Sequence, residues 1–255
     1  MGLFAWHPSK RLRYASSCPR LARLWRRNRG ATLINRRRYI GNLHLVASAL
    51  EDPALDGGAV VECGTWKGGM ACGLLAVAPG ARDFHFFDSF EGLPPAEPID
   101  GQRALDWQAD TEAPDYYDNN RADRGAFEAR VTAAARPEQR IHVHQGWFSE
   151  TLSKAPADLE IAVLRLDGDW YRSTLDCLEQ LFDKVMPGGL VIIDDYLDWD
   201  GCTRAVHDFL SARQAPEAIR QSRFGGVFHI VKREPAAIAA TAQDDAKNSA
   251  RIRTC

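Results

Sequence analysis

From residue 59 onward, short apolar runs alternate with stretches of helical periodicity, and this alternation restricts the chain to few folds. Ala59–Cys63 (AVVEC) reads as a first buried strand, followed by a helix over Gly68–Val77. Asp83–Phe87 (DFHFF), Arg140–His144 (RIHVH), Ile161–Leu166 (IAVLRL) and Leu190–Ile193 (LVII) read as the second to fifth strands. Helical patterns over Arg124–Ala135, about 171–184 and Cys202–Ala212 lie between and after them. Such an order calls for a mostly parallel sheet covered by helices. The end of the chain differs, since Ile219–Phe224 and Val227–Lys232 flank Gly225-Gly226, a hairpin signal. Five α-linked strands closed by an antiparallel hairpin give an expected seven-stranded α/β sheet.

Charge divides the chain. The formal net charge of −2 hides a leader, residues 1–50, with eleven basic side chains and no Asp or Glu. Glu51 is the first acid, and the remaining residues hold 21 basic against 34 acidic groups. The expected organisation is a basic arm (1–35), a domain (36–233) and a polar, Ala-rich tail (234–255). Within the domain, residues 91–123 are acidic and rich in Pro, Tyr and Asp, as befits a lid over a site. Trp107, Tyr116 and Tyr117 there suit either stacking on a sugar ring or anchoring the lid. An acidic domain repels phosphates, so nucleic acid is not an expected partner. No apolar run reaches the roughly 18–20 residues that span a bilayer. Leu21, Leu24 and Trp25 among the arginines leave weak contact of the arm with an anionic membrane surface as one reading. A targeting presequence is another, and packing on the domain or on a neighbouring subunit is a third. The six cysteines show no zinc-type spacing, and the expected location is the reducing cytoplasm.

The strand tips carry the chemistry. The first strand ends in Glu62-Cys63-Gly64-Thr65-Trp66-Lys67-Gly68-Gly69. Glycines there let a ligand approach the backbone at the carboxyl edge of the sheet. The run is neither a dinucleotide GxGxxG nor a phosphate loop, because no Gly-Lys-Ser/Thr follows. The second strand ends in Phe87-Asp88-Ser89, and an acid at that tip is placed to hydrogen-bond a ribose diol. Glu62 at the first tip is placed to face a ligand's ammonium group. Both acids equally suit a cap on the following helix. Together the tips point to an adenosine cofactor without a demanding diphosphate site, which S-adenosylmethionine fits better than NAD.

The fourth strand ends in Leu166-Asp167-Gly168-Asp169-Trp170 and the fifth in Ile193-Asp194-Asp195-Tyr196. Four carboxylates at neighbouring tips repel one another unless a cation joins them, although any single one suits a helix cap. All-oxygen ligation selects Mg²⁺, Mn²⁺ or Ca²⁺. A bound dication lowers the pKa of a coordinated hydroxyl, and a carboxylate not used by the metal can accept its proton.

These segments, with Phe90-Glu91-Gly92-Leu93-Pro94 and Gly146-Trp147-Phe148-Ser149-Glu150-Thr151-Leu152, stand in the order seen in one family. Over about residues 35–232 the chain resembles the macrocin O-methyltransferase (TylF/MycF) family, which includes novobiocin-type sugar methyltransferases. The resemblance implies a Rossmann-like class I methyltransferase fold, S-adenosylmethionine as donor, Mg²⁺, and a small-molecule, glycosylated acceptor. It implies Asp167, Asp194 and Asp195 as metal ligands and Asp169 as general base. It implies Glu62, Gly64 and Thr65 beside the methionine part, Asp88 and Ser89 at the ribose, and Gln145, Gly146 and Trp147 at the adenine. Gly69 and Asp167 are counted with the cofactor-lining residues. Thr65 and Lys67 depart from the Val and Arg common there, and the arm and tail have no family counterpart. A catechol-type O-methyltransferase would carry Asp-Asn at the fifth tip and a lysine base, where this chain has Asp195 and Trp170. A non-catalytic cofactor-binding protein would be expected to have lost one of the four aspartates. A homo-oligomer is compatible with the sequence.

Overall fold

In the computed structural model, which describes residues 19–233, the apolar runs become strands β1 (Ala59–Cys63), β2 (Asp83–Asp88), β3 (Arg140–Gln145), β4 (Ile161–Leu166) and β5 (Val185–Ile193). Strands β6 (Arg220–Gln221) and β7 (Phe228–Val231) complete one sheet in the order β3-β2-β1-β4-β5-β7-β6. The first five strands run parallel, and β7 pairs antiparallel with both β5 and β6. Every residue of β1 and β4 is buried, which is why these strands carry no polar alternation.

The helices are α1 (19–28), α2 (Arg36–Ala49), α3 (Gly69–Val77), α4 (Gln102–Ala109), α5 (Arg124–Ala134), α6 (Phe148–Thr151), α7 (Tyr171–Leu181) and α8 (Asp200–Ala212). The period-two pleat distributes strand residues between two cores. Val60, Phe84, Phe86, Val163 and Ile192 pack with α2, α3 and α5 through Tyr39, Leu43, Leu74, Phe127 and Val131. Val61, Cys63, Phe87, Leu164, Val191 and Ile193 pack with α7 and α8 through Leu178, Leu181, Val206 and Phe209. Strand order reverses between β1 and β4, and a crevice opens at such a switch point.

Three expectations change. Residues 19–35 are not an arm outside the domain: Leu21, Ala22 and Ala31 are buried, and Leu24, Trp25 and Ile34 pack against the same core. Helix α1 is amphipathic, with Arg20, Arg23, Arg26 and Arg27 exposed. Its residues Leu21, Ala22, Leu24 and Trp25 face the protein. Strand β5 starts at Val185 and runs through Pro187-Gly188-Gly189, which reads as a helix stop in sequence, with a register shift against β4. The hairpin is shorter than its apolar flanks. Ser222 closes a longer turn through bonds with Val227 and Phe224, so Gly225-Gly226 is not a two-residue connection.

The lid segment has structure of its own. It contains a 3₁₀ turn at Pro98–Asp100 and helix α4. Amide side chains staple it: Gln108 donates to the Pro94 carbonyl (2.9 Å) and Asn119 to the Leu93 carbonyl (2.7 Å). Asp100 accepts from the Tyr171 amide (2.7 Å), joining the segment to the start of α7. Trp107 lies edge-on to Trp170 and Trp199, so it anchors the lid. Residues 1–18 and the expected tail, 234–255, lie outside the described residues. Cys63, Cys72, Cys177 and Cys202 are free and buried. No helix among the described residues is long and apolar enough to cross a membrane.

Candidate active site

The carboxyl ends of β1, β2, β4 and β5 border a cavity of about 500 Å³. Gly64 fixes how closely β1 and β4 approach there. Its φ is +83°, and a Cβ would sit 1.8 Å from the Asp167 carbonyl oxygen. Asp88 organises the same loop from the tip of β2. One of its carboxylate oxygens accepts from the backbone amides of Thr65 (2.7 Å) and Trp66 (2.8 Å), and the other from that of Phe90 (2.7 Å). Ser89 closes a local turn, donating to the Gly92 carbonyl and accepting from the Glu91 amide. Asp88, Ser89, Gly64, Thr65, Gly146 and Trp147 all line the cavity.

Gly69 and Gln145, expected at the cofactor, are not among the cavity-lining residues. A Cβ on Gly69 would meet the carbonyls of Ala31 and Asn28, so this glycine accommodates the segment that follows α1. Gln145 is exposed and accepts from Arg124 (2.8 Å).

The acidic tips converge as expected. Ligand oxygens of Asp167, Asp194 and Asp195 lie within 4.8 Å of one another. Asp169 adjoins them: its backbone amide donates to Asp195 Oδ2 (3.1 Å), and its Oδ1 accepts from the Trp199 indole (2.7 Å). Burial, followed by the charge of Asp167, pushes the Asp169 carboxyl up to about 8. Burial, followed by the charges of Asp169, Asp167 and Asp194, drives Asp195 well above the ordinary carboxylate range. A carboxylate cluster in this state has a strong affinity for positive charge.

Part of that charge comes from a residue that the sequence reading passed over. Arg165, wholly buried within β4, pairs with Glu62 (2.8 Å), Asp167 (2.9 Å) and Asp194 (3.1 Å). The parallel register places Glu62 directly beside Arg165. Glu62 therefore gives one oxygen to Arg165, while its Oε2 has no partner. Burial pushes the Glu62 carboxyl up to about 8, against the opposing pull of Arg165. Arg38, from α2, is a second cation: it lines the cavity and pairs with Asp198. Asn42 donates to Asp194 (3.4 Å) from the same helix. The aspartates are thus compensated in part. Two guanidiniums still leave Glu62, Asp167, Asp169, Asp194, Asp195 and Asp198 with an excess of negative charge. The donor set, oxygen throughout, fits a hard divalent cation held by Asp167, Asp194 and Asp195.

A lone charged residue inside the apolar run IAVLRL was the signal for Arg165. Arg38, Asn42 and Trp199 had none, because their place in the site depends on how α2 and the segment after β5 pack. Apolar side chains also line the cavity, among them Leu33, Ile34, Leu93, Pro94, Pro95 and Ile99.

Comparison with known proteins gives the family and the fold. The sequence pattern of the macrocin-O-methyltransferase (TylF) family matches residues 19–230. A tetracenomycin rhamnosyl 4'-O-methyltransferase of Streptomyces olivaceus is 36% identical over 182 residues, 67% of this chain and 65% of its own. The chain thus spans just under two thirds of that relative's length. Mycinamicin III 3''-O-methyltransferase of Micromonospora griseorubida is 30% identical over 201 residues, 77% of each chain. Among solved structures, the O-methyltransferase NovP superposes with a TM-score of 0.63 at 27% identity, over 76% of this chain and 81% of its own. The sheet order and the antiparallel end of the sheet are those of a class I methyltransferase fold.

Proposed function

Because the chain belongs to the macrocin-O-methyltransferase (TylF) family, we propose that it moves the methyl group of S-adenosylmethionine to a sugar hydroxyl of a glycosylated small molecule, assisted by Mg²⁺. The carrying observation is the convergence of Asp167, Asp194 and Asp195 beside Asp169 at the switch point of the sheet. Relatives named for methylating sugar hydroxyls of tetracenomycin and mycinamicin support the acceptor class. The apolar side chains in the cavity lining suit the non-sugar part of such an acceptor. A catechol-type reading is not favoured, since Trp170, where the lysine base would stand, is 1% exposed and packed among tryptophans.

In this reading the orphan Glu62 Oε2 receives the ammonium group of the methyl donor, and the glycine loop held by Asp88 admits the rest of it. Asp167, Asp194 and Asp195 would hold Mg²⁺, which when bound lowers the pKa of a nearby hydroxyl and orients it. Asp169 takes the hydroxyl proton. The methyl carbon leaves sulfur as it bonds to oxygen, so a neutral thioether departs and the proton rests on Asp169. A carboxyl raised to about 8 by burial is a competent base once positive charge near it favours its ionised form. Placing both reactants in one cavity supplies much of the rate.

Calorimetry with S-adenosylmethionine, followed by labelled methyl transfer to glycosylated natural products, nucleotide sugars and catechols, tests the reading. Micromolar-range donor binding and label on a glycosylated acceptor are expected. Asp169→Asn should lower kcat about a hundredfold with donor affinity nearly unchanged. Label on catechols alone, or full activity of Asp169→Asn, contradicts it.

A further inference from the structure

Asp169 occupies a backbone conformation that a non-glycine residue seldom holds, with φ at +56°. Such conformations cost on the order of 1–3 kcal/mol and persist where surrounding contacts enforce them. Here two contacts do so. The Asp169 amide is held by Asp195 Oδ2, and its Oδ1 receives the Trp199 indole N–H at 2.7 Å. That bond occupies Oδ1 and leaves Oδ2 for a hydroxyl.

Trp199 is itself fixed from three directions. Trp170 packs edge-on against it at 5.0 Å between ring centroids, and Trp107 of α4 does so at 6.0 Å. The Arg103 guanidinium, also from α4, lies 4.8 Å from the Trp199 ring and donates to the Asp198 carbonyl at 2.7 Å. Two of these three supports come from the lid segment. A ring clamped in this way has little rotamer freedom, and its one donor points at one oxygen of Asp169.

Resting on the proposed methyl transfer, with Asp169 as base, we propose that Trp199 is the positioning residue that selects which oxygen of Asp169 faces the acceptor hydroxyl, and that lid helix α4 holds Trp199 in that role. Trp199→Phe keeps an aromatic ring at this position and removes the donor together with the five-membered part of the indole. One neutral-to-charged hydrogen bond corresponds to roughly a tenfold effect on a step that depends on its geometry.

Steady-state kinetics of Trp199→Phe should show kcat lowered about tenfold, with KM for donor and acceptor within about twofold of wild type. The Trp199→Phe, Asp169→Asn double variant should be no slower than Asp169→Asn alone. A second measurement needs no turnover: the Trp199 indole N–H resonance in a ¹H–¹⁵N spectrum should shift in Asp169→Asn more than the Trp107 and Trp170 indoles do. Wild-type kcat in a folded Trp199→Phe variant overturns the proposal, as does a Trp199 resonance indifferent to Asp169→Asn. If the wild-type enzyme transfers no methyl group to any acceptor, the proposed reaction fails instead, and the spectrum alone decides whether Trp199 holds Asp169.

Discussion

Replacing Arg165 with methionine should separate the two positive charges on which this site relies. The guanidinium is 0% exposed and lies within 2.8–3.1 Å of Glu62, Asp167 and Asp194. Methionine fills much of the volume, so the main effect is a buried Glu62 with no cation beside it. Removing one partner of a buried ion pair costs roughly 3–5 kcal/mol. Against a total stability of about 5–15 kcal/mol, that is a large fraction. Urea unfolding followed by circular dichroism in EDTA should show it as a lowered midpoint with an unchanged slope. Converting Glu62 to leucine in the same protein removes one of the three acids left without that cation, and part of the loss should return. Magnesium adds a second test. With one positive charge gone, Asp167 and Asp194 should bind the ion more tightly, so Mg²⁺ should stabilise Arg165→Met more than wild type. A loss under about 1 kcal/mol would refute the assignment of Arg165 as the counter-ion. Equal stabilisation of both proteins by Mg²⁺ would show that Arg165 and the metal do not share these carboxylates.

Other outcomes follow from single contacts. Gly64→Ala places a Cβ 1.8 Å from the Asp167 carbonyl, so the β1 and β4 tips must separate; donor affinity in calorimetry should fall at least tenfold, and an unchanged affinity contradicts the close-approach argument. His85 is buried beside His142 and His144, and burial foremost, with the charges of those neighbours, lowers its pKa to about 4. The unfolded chain then binds a proton that the native protein does not, so the stability from neutral His85 is lost as pH falls from about 6.5 toward about 4. Urea midpoints at pH 7 and pH 5 should converge in His85→Phe by comparison with wild type; an equal drop in both contradicts the linkage.

How much of this was legible depended on whether the signal was local. The central strands were, because a strand buried on both faces must be an unbroken apolar run, as in AVVEC and IAVLRL. The clustering of Asp167, Asp194 and Asp195 was legible too, because parallel strands bring their carboxyl ends to one edge regardless of loop detail. Of the three readings of the basic leader, packing on the domain holds for residues 19–35, although arginine is the commonest residue there. The few apolar side chains, Leu21, Ala22 and Trp25, nevertheless lie on one helix face and dock on the core. The lid was legible as a segment but its internal order was not, because that order comes from Gln108, Asn119 and Asp100 bonding to distant backbone, which no local pattern records. Asp88 and Glu62 were found at the right edge, but Asp88 also holds the glycine loop and one oxygen of Glu62 holds Arg165. Trp199 escaped notice since its value lies in a single contact with Asp169.

The proposed reaction requires that the carboxylates at the switch point bind a divalent cation which makes a sugar hydroxyl reactive toward S-adenosylmethionine. Methyl transfer from labelled donor to a glycosylated acceptor, measured after EDTA treatment and again after adding Mg²⁺, tests it most directly. Transfer should stop in EDTA, return with Mg²⁺, and not return in Asp195→Asn. Undiminished transfer by the EDTA-treated enzyme would contradict it.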